Sequence, residues 1–250
     1  MSVRQPRVTI TWAAWSSSWL PAETWLDAAE RTRLHASRSA AEHHRRLLGA
    51  ALPRVAVAAR TGTAPGDVRI DRACADCGRQ HGRPRVGGSD LDLSTSYAGG
   101  LMVVAVADGC RVGVDVEEVP DATAVADVAS SLPGRGAELA PDELAVLWAR
   151  IEAVVKCDGV GLRADPRCIA VSDAREQPVL LAYPDRPALP QRMVLVDLDT
   201  AATGCRAALA VDTGTRPPAE PAMEVRNLHG PPRDTDRWAG ADDRRRRGRP

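Results

Sequence analysis

The segment from Leu101 to Glu117 constrains this chain more than any other. Leu101 to Ala107 is a continuous apolar run, Asp108-Gly109 is a strong turn signal, and Val112, Val114 and Val116 then alternate with Gly113, Asp115 and Glu117. Strand, turn, strand predicts a β-hairpin. Side chains two apart on a strand share a face, so Asp115 and Glu117 project together while Val114 and Val116 face a core. Two adjacent carboxylates repel, and one is driven to protonate unless a cation sits between them. All-oxygen ligation suits Mg²⁺ or Mn²⁺. Alternating acids also occur as solvated surface at strand ends, so the pattern needs support from elsewhere in the chain.

A second segment supplies it. Ala140-Pro141-Asp142-Glu143 opens a helix, with proline near the first turn and acids suited to the dipole. That helix runs to about Cys157 and stops near Gly159-Val160-Gly161. Trp148, Glu152 and Lys156 are four apart and stack along one face. A surface Glu–Lys pair of this kind is worth only about 0.3–0.5 kcal/mol. Lys156, however, is the only lysine among 33 basic residues. Arginine cannot replace lysine where a compact, flexible ammonium must reach one point or change its proton affinity.

Around these segments the chain reads as mixed α and β. Pro21 to Arg60 is helical, with Leu26, Ala29, Arg33 and then Leu47, Leu48, Ala51, Leu52 and Val55 at spacings of three and four. Pro53 is expected to kink or interrupt the second helix. Thr61 to Gly88 is rich in loop signals. Strands are expected at about Cys168 to Val171, Val179 to Ala182, Met193 to Leu198 and Arg206 to Val211. Helix then strands, twice over, predicts an α+β fold of two similar halves, residues 1–118 and 119–212. The Pro/Arg/Asp-rich residues 213–250, ending in Arg244 to Arg247 and Arg249, are expected to be a disordered tail, since they can bury little apolar surface.

Net charge is zero, so no global field argues for nucleic acid or a membrane. No apolar run approaches spanning length and the start lacks a signal-peptide layout, so a cytoplasmic protein without membrane contact is expected. Nucleic acid is not expected as a partner, because aromatic residues are few and the basic cluster is confined to the terminus. The six cysteines are then expected to be reduced thiols.

A third segment joins the first two. His81-Gly82-Arg83-Pro84 precedes Leu93-Ser94-Thr95-Ser96-Tyr97-Ala98-Gly99-Gly100. Small residues around a turn let backbone N–H groups and hydroxyls approach a phosphate. In this order, Gly82-Arg83-Pro84, Ser96 to Gly99, Gly113 to Glu117 and Trp148 to Lys156 resemble the motifs of the 4'-phosphopantetheinyl transferase superfamily, in its longer, two-lobed, Sfp-type form. The resemblance covers roughly residues 30–212.

That resemblance implies two similar α+β halves in a pseudo-twofold arrangement with the active site between them, functioning as a monomer. It implies transfer of 4'-phosphopantetheine from coenzyme A to a serine of an apo acyl or peptidyl carrier protein. Asp115, Glu117 and Glu152 match the metal-binding carboxylates, with Mg²⁺ expected and Mn²⁺ as the alternative. Lys156 matches the phosphate-contacting lysine, and Glu152 is the candidate base. Arg83, Ser96, Tyr97, Arg33 and Arg46 match positions that contact coenzyme A.

Two positions depart from the motifs. Tyr97 stands where the family has a histidine, and a phenol carries no positive charge at neutral pH. Ile151 replaces a lysine, and Arg150 is the nearest cation that could compensate. A non-catalytic relative that binds coenzyme A or a carrier protein is the alternative these changes raise. Separately, Cys74-x-x-Cys77 followed by His81 offers three zinc-type ligands without a clear fourth. A metal site and two reduced loop thiols both remain open from sequence.

Overall fold

The computed structural model describes residues 5–228 apart from 16, 75, 133–138, 201–203, 215–217 and 219. The chain is mixed α+β. It begins with β1 (Arg7–Ala14), a 3₁₀ stretch (Ser17–Trp25), α1 (Ala28–His35) and α2 (Ala40–Thr61). Next come β2 (Ile70–Ala73), β3 (Gln80–Val86), β4 (Asp92–Ala98), β5 (Leu101–Asp108) and β6 (Arg111–Glu118). After α3 (Val125–Ser130) and α4 (Pro141–Asp158), the chain adds β7 (Ala170–Val171), β8 (Leu180–Ala182), β9 (Met193–Leu198), β10 (Cys205–Asp212) and β11 (Ala222–Leu228).

Two larger sheets stack face to face. One has the order β11-β1-β5-β4-β3-β2 and the other β6-β10-β9, while β7 and β8 form a small ribbon. Strand alternation sorts the side chains into layers. Val104 and Val106 of β5 pack with Leu47, Leu48, Ala51 and Leu52 of α2. Val103, Ala105 and Ala107 turn the other way and meet Val112, Val114 and Val116 of β6 and Leu209 and Val211 of β10. Ala208 and Ala210, on the far face of β10, pack with Ile151, Val154 and Val155 of α4. The order of layers is therefore helix, sheet, sheet, helix.

The strands Leu101–Asp108 and Arg111–Glu118 lie where the sequence puts them, but they do not form a hairpin ladder. Both edges of β5 are taken, by β1 and by β4, so β6 cannot pair there. Gly109, at φ 75°, instead turns the chain into the second sheet, where β6 pairs with β10. β6 thus joins β10 and β9, which follow it in the chain, while β11 returns to the sheet of β1.

Three other expectations are corrected. Helix α2 runs unbroken through Pro53; its missing N–H forfeits one bond, and burial of Leu47, Leu48, Leu52 and Val55 outweighs that loss. Gly82-Arg83-Pro84 and Ser94 to Ala98 are strand rather than turn and loop. The expected tail contains β11, which runs parallel to β1 from Arg7 opposite Ala222 to Ala13 opposite Leu228. Poor apolar content did not prevent this, because an open sheet edge is satisfied by backbone hydrogen bonds whatever the side chains. The arginine cluster lies outside the described residues.

No disulfide joins any of the six cysteines. Among the described residues no helix is long and apolar enough to cross a membrane.

The tightest joint is between β6 and α4. A Cβ on Gly113 would sit 2.0 Å from the Ala153 carbonyl oxygen and 2.4 Å from the Cys157 nitrogen. Both are backbone atoms of a packed helix, so they cannot swing aside. Gly113→Ala is expected to cost about 3 kcal/mol or more. A urea titration checks this, and a midpoint within error of wild type would refute the close-approach argument.

Candidate functional site

The approach allowed by Gly113 brings the acidic face of β6 against the Glu152–Lys156 face of α4. Asp115 is 2 % exposed. Lys156 Nζ donates to Asp115 Oδ1 at 2.5 Å and to Ser96 Oγ at 2.9 Å, and Ser96 Oγ donates to the same Asp115 oxygen at 2.7 Å. The other oxygen, Asp115 Oδ2, is buried without a hydrogen-bond partner among the described residues. Burial, then the charge of Asp115, push the Glu117 carboxyl up to about 8. Burial and Asp115 also raise Glu152. One ammonium therefore faces three carboxylates, and burial together with the surplus negative charge raises two of them above the usual carboxylate range.

These groups form one wall of a cleft of about 530 Å³. The opposite wall carries Arg45, Arg46 and Arg72, with Trp15, Gly49, Thr95, Tyr97 and Met102 between. A smaller pocket of about 230 Å³ adjoins it through the shared residues Arg46, Gly49 and Arg72, and adds Arg33. Within that pocket Arg54 is neutralised by Glu30 through two bonds at 2.8 and 3.0 Å. Arg46 is engaged by Glu42 at 2.6 Å and by the Arg33 carbonyl. The Arg72 guanidinium has no ion-pair or hydrogen-bond partner among the described residues, and burial, partly offset by Glu30, lowers its pKa.

Of the residues expected at the site, Asp115, Glu117, Glu152, Lys156, Ser96, Tyr97 and Arg46 line this cleft, and Arg33 lines the adjoining pocket. Arg83 does not. Its guanidinium bonds Asp92, the Val112 carbonyl at 2.9 Å, and the Lys156 and Cys157 carbonyls, pinning β3 to β6 and to the end of α4. Arg83 is spent on structure because those carbonyls are orphaned at a helix end and a strand edge.

The two departures also look different in three dimensions. Ile151 is 1 % exposed, packed in the core beneath α4 and not facing the cleft. Arg150 does not replace a lost cation. It is fully buried, paired with Asp197 at 2.6 Å and hydrogen-bonded to the Ser172, Asp173 and Glu176 carbonyls. Tyr97 is exposed to the cleft, and Arg45 donates to its hydroxyl with the guanidinium carbon 5.1 Å from the ring centroid. A positive charge thus stands beside the phenol. Sequence reasoning missed Arg72 and did not single out Arg45 from the arginines of the first helices, a few of which could line an anion site. Arg45 sits beside the nominated Arg46 in a crowd of arginines, and Arg72 lay in a stretch taken for loop.

The donor set fits a hard divalent cation: three carboxylates, two of them raised in pKa by burial and by Asp115, and one buried Asp115 oxygen with no hydrogen-bond partner among the described residues. The facing arginines suit a polyanion that would bridge such a cation and the basic wall.

Glu117 gives this electrostatic account a test. The unfolded chain releases its proton near 4.5, whereas the folded site holds it to about 8. The unfolded state binds fewer protons across that window, so stability falls as pH rises through it. In metal-free buffer the melting temperature is expected to drop over this range more than in Glu117→Gln. Added Mg²⁺ is expected to raise it most at the alkaline end. Identical pH slopes in the two proteins would sink the account.

Comparison of the chain with models of known protein families gave no match, and a search of curated proteins gave none either.

Proposed function

We propose that this protein is a 4'-phosphopantetheinyl transferase, moving phosphopantetheine from coenzyme A to a serine of an apo acyl or peptidyl carrier protein and releasing 3',5'-ADP. The observation that carries this reading is the convergence of Asp115, Glu117, Glu152, Lys156 and Ser96 on one wall of a cleft whose other wall is arginine. Three separate motifs, resembling those of that superfamily, contribute to that one surface. On this reading the two stacked α+β halves are the family's pseudo-twofold lobes, acting as a monomer in the cytoplasm.

Asp115, Glu117 and Glu152 would hold Mg²⁺, or Mn²⁺ in its place, which when bound supplies positive charge to the pyrophosphate of coenzyme A. Arg45, Arg46 and Arg72 orient the substrate's phosphates from the opposite wall, with Arg33 in the adjoining pocket. Lys156 turns its ammonium from Asp115 toward the pyrophosphate, a short swing for a side chain with four methylenes. The carrier serine oxygen attacks the phosphorus next to pantetheine, and its bond to the oxygen of 3',5'-ADP breaks in line. Glu152, which accepts no hydrogen bond from the described residues and has an elevated pKa, takes the serine proton. Ser96 donates to Asp115 and holds its carboxylate in place when Lys156 turns away. Arg45 supplies beside Tyr97 the charge that the family's histidine would bring.

The test is the intact mass of an apo carrier protein after incubation with this protein, coenzyme A and Mg²⁺. One added phosphopantetheine is expected, abolished by EDTA and slowed about 100-fold or more in Glu152→Gln. Coenzyme A binding with no transfer across several carriers would instead establish a non-catalytic binding protein.

Arg45→Ala is expected to raise KM for coenzyme A about ten-fold, as loss of one charge-assisted contact implies. Tyr97→His in the same background should recover part of it. An unchanged KM in Arg45→Ala would remove Arg45 from the substrate site.

A further inference from the structure

We propose that Cys74, Cys77 and His81 form a second metal site, for a single zinc ion, at the tip of the β2–β3 hairpin. One ligand atom from each residue lies within 4.8 Å of the other two. Cys77 Sγ is 3.0 Å from His81 Nε2. Two sulfurs and an imidazole nitrogen are the donor types that zinc prefers, and the two-residue spacing between the cysteines is that of zinc-binding turns. This chemistry is unlike that of the carboxylate cleft, so the two sites would take different metals.

The turn is built to hold the three together. Gly78, at φ 71°, donates its N–H to the Cys74 carbonyl at 2.8 Å, and Cys74 N–H bonds the Arg79 carbonyl at 2.8 Å. These bonds curl the chain so that it returns on Cys74. An independent feature lies on the other strand. A Cβ on Gly82 would stand 2.9 Å from both the Ala73 carbonyl oxygen and Cys74 Cα. Only glycine lets β3 pass this close, and it follows directly on His81. Gly82 therefore brings the imidazole to the two sulfurs, which explains a glycine whose φ any residue could adopt.

Three protein ligands leave one tetrahedral position for water or a small thiol, and Cys77 and His81 are both exposed to solvent. The consequence for the molecule is positional. The strands that leave this tip carry Arg72 to the cleft and Arg83 to the end of α4. A metal at the tip would lock their relative register, which is irregular between Asp71 and Ala73.

The experiment is metal loading of the full-length protein after chelation. Zn²⁺ alone is expected to be retained at one equivalent through gel filtration. Co²⁺ alone should give the near-ultraviolet thiolate-to-cobalt charge-transfer band. Cys77→Ser and His81→Ala should lose both signals, while Glu152→Gln keeps them. Should those variants fail to fold, protection of Cys74 and Cys77 in the wild type against alkylation by iodoacetamide, with and without Zn²⁺, reads out the same site. Absence of the cobalt band, zinc retention unaffected by Cys77→Ser, or equal alkylation with and without Zn²⁺ would overturn the proposal. None of these readings depends on transfer activity, so failure of the transferase reading is distinguishable.

Discussion

The close approach of α4 to β6 at Gly113 is the constraint on which the rest of the cleft depends. A side chain there would collide with the helix backbone at 2.0 Å, and moving the helix out by even an ångström would draw Glu152 and Lys156 away from Asp115. The glycine has ordinary backbone angles, so its role is purely one of volume. Cores are packed too densely for such a displacement to be absorbed locally. The same contact that buries Ala153 and Cys157 thus sets the spacing between the carboxylates and the ammonium.

A second joint supports the first. The free edge of β6 would leave N–H and C=O groups unpaired, and they are satisfied by side chains instead of a strand. Val112 N–H bonds Asp92 Oδ2 at 2.7 Å, Val114 N–H bonds Ser94 Oγ at 3.0 Å, and the Val112 carbonyl accepts from Arg83. Asp92, Ser94 and Ser96 alternate along β4, so all three reach the same edge. Ser96, one step further along, lines the cleft beside Asp115 and Lys156. One strand face therefore runs from structural capping into the site without a break, which explains why small polar residues recur at every second position of β4.

Electrostatically the site is unbalanced in a way a purely structural protein would avoid. A buried aspartate shared by one ammonium and one hydroxyl, with two further acids held up in pKa, costs stability rather than adding to it. Also lining the cleft is Arg72, whose guanidinium has no ion pair or hydrogen bond among the described residues and feels only the charge of Glu30 in its favour. Two walls of opposite sign across a cleft are the arrangement in which a metal–phosphate ligand relieves both at once. Stability surrendered at such a place is characteristic of sites kept for binding or chemistry.

Much of this was legible in the sequence, for identifiable reasons. Period-two alternation located β6 and the pairing of Asp115 with Glu117, and four-residue spacing placed Glu152 and Lys156 on one helical face, because both depend only on local backbone geometry. The strands Met193–Leu198 and Cys205–Asp212 were legible on the same grounds. What lay beyond it concerns partners far apart in the chain. Nothing local distinguishes Arg83, which ties strands to a helix end, from Arg45, which faces the cleft; each guanidinium's task is set by which carbonyls or open space the fold puts around it. Nor could composition reveal that Ala222–Leu228 would complete the edge of β1, since backbone pairing across more than two hundred residues leaves no mark in side-chain pattern. The sequence by itself determined which residues could share a face. Tertiary packing decided which faces meet, because that depends on long-range steric fit such as the space left at Gly113.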